Sequence, residues 1–232
     1  MCVPQAHGGL DADYATYMMT AAEIGRCCGA TALTLNMHIS STMWTGVVND
    51  GALYAQPFSE GTAATAGRAP FGTSARKTMQ SGVSGWRING KKIWASLSGA
   101  AGYYGILCTE DIDGQDPNPK DTLYIAVAAA SPGLAIRGDW NPMGMRSTVS
   151  HNPTFKDVFV SDDEQLMLRG MYYQAAQTWP AMFFTLAPTY LGIANAAYDF
   201  TVKYLRGEVE GEPPIKRRQY PTKQLAVAQM RV

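Results

Sequence analysis

The sequence predicts an α+β fold: a central antiparallel β-barrel or β-sandwich domain with helices before and after it. Three observations carry this. Apolar residues recur at spacings of three, four and seven between Asp13 and Ile39. Between Gly51 and Val160 the texture turns to short β-rich runs punctuated by Gly and Pro, with no helical stretch between them. After Asp162-Asp163 the helical spacing returns. Successive strands without crossover helices pair antiparallel.

In chain order, Tyr14, Tyr17, Ala21, Ile24, Cys28 and Leu35 lay out the first helix, which is apolar enough around its circumference to be expected buried. Gly25 and Gly29 sit one turn apart in it, where each costs about 1 kcal/mol against Ala, so a close neighbour is expected. Strands are predicted at Leu53–Phe58, Tyr103–Cys108, Thr122–Ala128, Leu134–Trp140 and Pro153–Val160. Trp86–Ile88 and Lys91–Leu97 flank Asn89-Gly90, which reads as a two-residue hairpin turn. Helices are predicted at Glu164–Thr178, capped by Asp162 or Asp163, and at Ala181–Leu205, with Pro180 between them. Pro221 opens a last helix that runs to Val232. The expected divisions are 1–50, 51–161 and 162–232.

The 232 residues carry 19 Lys+Arg against 19 Asp+Glu, so no electrostatic grip on nucleic acid or anionic membrane is expected. No run of eighteen apolar residues marks a membrane span, and Met1–Gly9 has no secretory pattern. Cys2, Cys27, Cys28 and Cys108 show no metal-ligand spacing, and a reduced, cytoplasmic setting with cysteines as small core residues is expected. His7, His38 and His151 are too scattered to read as a metal site. No GxGxxG or P-loop follows a strand.

Five stretches in order carry a family resemblance: Val3-Pro4 with Gly8-Gly9-Leu10; Phe58-Ser59-Glu60-Gly61 with Thr65; Ile88 to Ser96; Gly144-Met145-Arg146-Ser147-Thr148 with Phe155 to Val160; and Leu191-Gly192-Ile193-Ala194. Together they resemble the acyl-CoA dehydrogenase superfamily. The resemblance implies a β-domain between two helical domains that holds a flavin, FAD, or FMN if the protein is a monooxygenase. Carried across residue by residue, it puts Phe58, Ser59, Thr65, Trp94, Ala95 and Ser96 at the flavin, with Thr65 also at the substrate. The chemistry is sensible, since an isoalloxazine needs a flat apolar face and a few hydrogen-bond donors. Trp94 offers the first, and Ser59 and Ser96 the second.

The resemblance also implies an acyl-CoA or other small hydrophobic substrate, an electron-transfer flavoprotein or flavin reductase as partner, a role in fatty acid metabolism and a homo-oligomer when complete. The chain departs from the family in being short, with the N-terminal helices and most of the C-terminal bundle missing. Where some members carry a catalytic glutamate and an arginine, this sequence has Met182 and Phe183. The catalytic residue is therefore unassigned. Expected function is α,β-dehydrogenation of an acyl thioester; the alternatives are a flavin-dependent monooxygenase of the dibenzothiophene monooxygenase-like branch and an inactive truncated fragment.

Overall fold

A computed structural model describes residues 1–45, 52–213 and 218–231; side chains at 41–45 and 180–182 lie outside the description. The elements in order are α1 (Tyr14–Cys27), α2 (Gly29–Thr45), β1 (Tyr54–Ala55), β2 (Ser74–Gln80), β3 (Val83–Lys91), β4 (Tyr103–Glu110), β5 (Thr122–Ala128), β6 (Leu134–Arg137), β7 (Asn152–Ser161), β8 (Gln165–Met167), α3 (Met171–Thr178), α4 (Ala187–Arg206) and α5 (Pro221–Met230). Helices thus flank a β-domain as expected. The sheet is open and mixed. Its order is β6-β7-β3-β2-β4-β5-β8, and its end strands do not meet, so no barrel closes.

β4 explains the parallel pairs. One edge pairs antiparallel with β5 along its length. The other pairs parallel with β1 at Tyr103 and Tyr104, and again with β2 at Thr109 and Glu110. The chain between β1 and β2 leaves the sheet in that gap, which is what places Phe58, Ser59 and Thr65 at its rim. β4 is buried on both faces. Ile106 and Cys108 join the main core with Leu123, Ile125, Val127 and Val158. Leu107, pointing the other way, joins Tyr124, Phe71, Tyr172 and Ala176 under α3.

The predicted first helix is two helices. Asp13 caps α1 by accepting from the Thr16 N–H at 2.7 Å. Cys28 then takes an extended backbone (φ −152°, ψ 104°) and ends it. Only Tyr17, Ala21 and Gly25 of α1 are buried, and Met19 is exposed, so this is a one-faced surface helix rather than a buried one. The glycines do mark close packing. A Cβ on Gly25 would lie 2.6 Å from the Thr189 carbonyl, and one on Gly29 would lie 2.5 Å from Ile193 Cδ1. Gly192 of α4 meets the Ala22 carbonyl from the other side. Of the four cysteines, Cys108 is a core residue, whereas Cys27 and Cys28 are exposed.

The predicted Asn89-Gly90 hairpin is not a turn. β3 runs straight through it, and the true β2–β3 turn is Ser81-Gly82, both at positive φ (50° and 82°). Gly90 (φ 145°) sits at a register shift against β7, where a Cβ would lie 2.6 Å from Thr73. Its glycine serves a bulge and a close approach. β2 escaped the sequence reading because only Ala75 of its seven residues is buried. Lys91–Leu97 is not a strand beyond Lys91; its one β-bridge is Ala95 to His151, and its other backbone hydrogen bonds to that neighbour are irregularly spaced. Strand structure is also shorter than predicted at Leu53–Phe58 and Leu134–Trp140.

The helix predicted from Glu164 starts late. A 3-10 turn at Asp162–Glu164 and strand β8 come first, because β5 offers an edge to pair with. Pro180 does break the helical region, opening a 3-10 run at Pro180–Leu186 before α4. Pro221 is the first residue of α5. Val232 and the side chain of Met182 lie outside the described residues. Among the described residues no helix is long and apolar enough to cross a membrane.

Candidate functional site

Three strips of irregular backbone lie side by side at the rim of the sheet. The middle one is Lys92–Ser98. Its Ile93 N–H donates to the Ser59 carbonyl at 2.9 Å, joining it to the loop after β1. On the other side the N–H groups of Lys92, Ala95, Leu97 and Ser98 donate to the carbonyls of Pro153, His151, Thr148 and Val149 at 2.8–3.2 Å. The chain holds this shape under strain. Trp94 (φ 57°), Leu97 (φ 71°), Met145 (φ 57°) and Val149 (φ 44°) all occupy the left-handed region. Such residues cost about 1–3 kcal/mol each and gather where function needs a fixed backbone. A β-branched valine there is the least expected of the four.

A buried ion pair locks the first two strips together. Lys92 Nζ lies 2.6 Å from Glu60 Oε1, with the lysine fully buried and the glutamate nearly so. Glu60 also accepts from the Gly72 N–H at 2.6 Å and the Thr73 N–H at 3.0 Å. Lys92 sits 4.2 Å above the Phe71 ring. Burial pulls the Lys92 ammonium down to about 8, even with Glu60 beside it. For Glu60, burial pushes the other way, and the Lys92 charge with the Thr73 N–H outweighs it, holding the carboxyl below its ordinary value. Lys92 and this role of Glu60 were not legible in the sequence. Burial also pushes the neighbouring Cys108 thiol up to about 12.

These strips form the floor of a cleft of about 360 Å³. Phe58, Ser59, Thr65, Ile93, Trp94, Ser96, Thr148 and Ser150 line the floor. Leu33, Met37 and Ser40 of α2 form one wall, and Phe183, Thr185, Leu186 and Tyr190 another, with Trp140 and Tyr172 also in the lining. Phe58 packs edge-on to Tyr124 and Tyr172, and the Tyr172 hydroxyl donates to the Thr65 carbonyl at 2.7 Å. Trp94 is 61% exposed, with its indole free to face a ligand. Small-molecule sites commonly measure roughly 300–1,000 Å³ and are mostly apolar with few polar groups, as here.

Five of the six sequence-predicted residues therefore meet in one cleft: Phe58, Ser59, Thr65, Trp94 and Ser96. Ala95 does not. Its side chain is in the main core, its N–H goes to His151, and its carbonyl accepts from Ser98. Thr148 and Ser150 were missed, since isolated hydroxyls in a loop give no sequence signal. Among the described lining residues there is no Asp, Glu, Lys, Arg or His.

The profile described as "Acyl-CoA dehydrogenase, middle domain" matches residues 61–158, and that described as "Acyl-CoA dehydrogenase, N-terminal domain" matches residues 1–52. The chain belongs to the acyl-CoA dehydrogenase superfamily. Within that superfamily it is 24% identical over 230 residues to the mitochondrial short-chain specific acyl-CoA dehydrogenase of Mus musculus, covering 94% of this chain and 55% of the mouse protein. The chain thus spans about half the length of the curated relatives it matches. Butyryl-CoA dehydrogenase from Megasphaera elsdenii superposes with a TM-score of 0.78 at 22% identity, over 99% of this chain and 63% of that one. TdsC from Paenibacillus sp. A11-2, solved with FMN and indole, gives 0.76 at 21% identity, over 99% and 62%. Both likenesses establish the fold.

Proposed function

We propose that the cleft is a flavin cradle and that the chain is part of a flavin-dependent oxidoreductase of the acyl-CoA dehydrogenase type, with FAD as cofactor. The observation that carries this is the convergence of Phe58, Ser59, Thr65, Trp94 and Ser96 on one strained, apolar cleft floor. The residues suit a flavin. Trp94 and Phe58 offer flat apolar surface, and hydroxyls and an amide (Gln56) supply the few polar contacts that a ring edge needs. Bound flavin would supply the two-electron acceptor. The protein's part is to orient the ring, to exclude water through Phe183, Leu186 and Met37, and to hold hydrogen bonds on one side.

In this reading the substrate is an acyl thioester or another small hydrophobic molecule, and electrons leave to an electron-transfer flavoprotein or a flavin reductase supplies them. Residues 1–50, 51–161 and 162–232 are the remnant of one helical domain, the cradle and the start of a second bundle, and the full assembly is a homo-oligomer. Cytoplasmic placement and fatty acid metabolism follow from the same reading. The test is dye reduction by the FAD-loaded chain with a panel of acyl-CoA thioesters. Electron transfer from any of them supports the dehydrogenase.

A second reading, flavin-dependent monooxygenation with FMN, is favoured by one observation: no carboxylate base for an α-proton lines the cleft among the described residues. The FMN and indole in TdsC are in keeping with it. Oxygen uptake with supplied reduced flavin and an aromatic substrate separates the two. Absence of both activities, with flavin bound, marks the chain as an inactive fragment.

A further inference from the structure

The junction between α1 and α2 puts two exposed thiols on adjacent residues. Of the four cysteines, Cys27 and Cys28 are exposed, Cys2 is half-buried and Cys108 is buried. Cys27 ends α1 in helical backbone, and Cys28 is extended (φ −152°, ψ 104°). Helical then extended is the backbone of a type VIII turn. Cys28 alone separates the two helices and bonds to both. Its N–H donates to the Ile24 carbonyl at 2.8 Å, and its carbonyl accepts from the Ala32 N–H at 3.0 Å. Its sulfur serves α2 as a side-chain cap. The Thr31 hydroxyl donates to Cys28 Sγ at 3.2 Å. That bond, with the Thr31 and Ala30 N–H groups behind it, favours the thiolate and holds the Cys28 thiol below its ordinary value. Burial acts the other way on Cys2 and pushes Cys108 up to about 12.

Adjacent Cα atoms lie about 3.8 Å apart across a trans peptide. Disulfides usually span roughly 4.4–6.8 Å between Cα atoms, so one closed between neighbours is strained. Strained, exposed disulfides are the readily reduced ones. We propose that Cys27 and Cys28 form a reversible intrachain disulfide, making the α1–α2 junction a dithiol that low-molecular-weight disulfides oxidise and that resets the first turn of α2. The Cys28 thiolate attacks the small disulfide, breaking its S–S bond and releasing one small thiol. Cys27 then loses its proton and attacks Cys28 Sγ, expelling the second. Two protein thiols give up two electrons, and the small disulfide becomes two thiols. The closed form has no thiolate at Cys28, so Thr31 and Ala30 lose their charged acceptor. The turn that loosens is the one seated on α4, since a Cβ on Gly29 would lie 2.5 Å from Ile193 Cδ1. The same helix carries Leu33, Met37 and Ser40 to the cleft, which makes the junction a redox control on that wall.

The experiment treats the full chain with glutathione disulfide, then reads the tryptic peptide Cys27–Arg68 by mass spectrometry; it holds both cysteines and neither of the others. The wild-type peptide should become lighter by two hydrogens, carry no glutathione, and revert with dithiothreitol. Cys27→Ser should trap glutathione on Cys28, whereas Cys28→Ser should react far more slowly. Both changes are at exposed positions, and melting curves confirm that the variants are folded. Hydrogen exchange at the Ala32 and Leu33 amides should quicken roughly fivefold on oxidation, the loss of one helix cap, and recover on reduction. Glutathione that persists on wild-type Cys28, a disulfide-linked dimer, or thiols left unmodified overturns the pairing. Closure with unchanged exchange in α2 overturns the control.

Discussion

Glu60 has the most to lose at the scale of one residue. Its carboxylate neutralises a fully buried lysine and collects two backbone N–H groups, so it holds the loop that carries Phe58, Ser59 and Thr65 against the strip that carries Trp94 and Ser96. Glu60→Gln leaves the Lys92 charge buried without a counter-ion, which costs about 3–5 kcal/mol. In a chain of this size that lowers the thermal midpoint by about 10 °C or more. The same pair sets an acid dependence. The carboxyl titrates below its ordinary 4.5 in the folded chain, so its contribution is full above that pH and is lost as pH falls through the lowered value. The wild-type midpoint should therefore drop in acid more steeply than that of Glu60→Gln; parallel curves would contradict the pair's role. Trp94 makes the opposite case. It is exposed and strained, so it contributes little packing. Trp94→Gly relieves the positive φ and should keep stability within about 1 kcal/mol of wild type while weakening FAD about tenfold. A large loss of stability with FAD affinity intact would show that the strain serves folding instead.

The crossing of α1 and α4 decides how the cleft gets its wall. Gly25 and Gly192 let the two backbones touch, and the 3-10 run bearing Phe183 and Leu186 enters directly from that crossing. Gly192→Ala drives a Cβ into the Ala22 carbonyl, with no flexible side chain to give way. It should cost about 1–3 kcal/mol and weaken FAD as the wall shifts, measured by thermal melts and titration; an unchanged midpoint would mean that the contact is slack. The glycine spacing made this contact legible in the sequence. Other elements were hidden for definite reasons. Asn89-Gly90 has hairpin chemistry, but here the glycine answers Thr73 rather than a turn. β2 is mostly exposed, so its residues carry no alternation to read. β8 forms only because β5 has an edge to offer, a tertiary fact. The break at Cys28 is a matter of one residue's extended backbone, beside a Gly29 that packs closely on Ile193 and Met145.

Across the whole molecule, the cleft draws on the helical region before the sheet, on the sheet rim and on the helical region after it. α2 comes from the region matched by the N-terminal domain profile, the floor from the sheet rim, and the second wall from the helical region after β8. That five of the six residues expected at a flavin share one cleft was legible because short motifs survive in order along the sequence. Lys92, Thr148 and Ser150 were not, because what matters about them is which buried partner they meet. That no Asp, Glu, Lys, Arg or His lines the cleft among the described residues is also a property of assembly, and it leaves binding as the claim to test before chemistry. The deciding measurement is the visible spectrum of the purified full chain mixed with FAD and freed of unbound cofactor by filtration. A flavin-cradling cleft predicts retained flavin bands, with Trp fluorescence quenched on binding. A colourless protein that is folded by circular dichroism would contradict it.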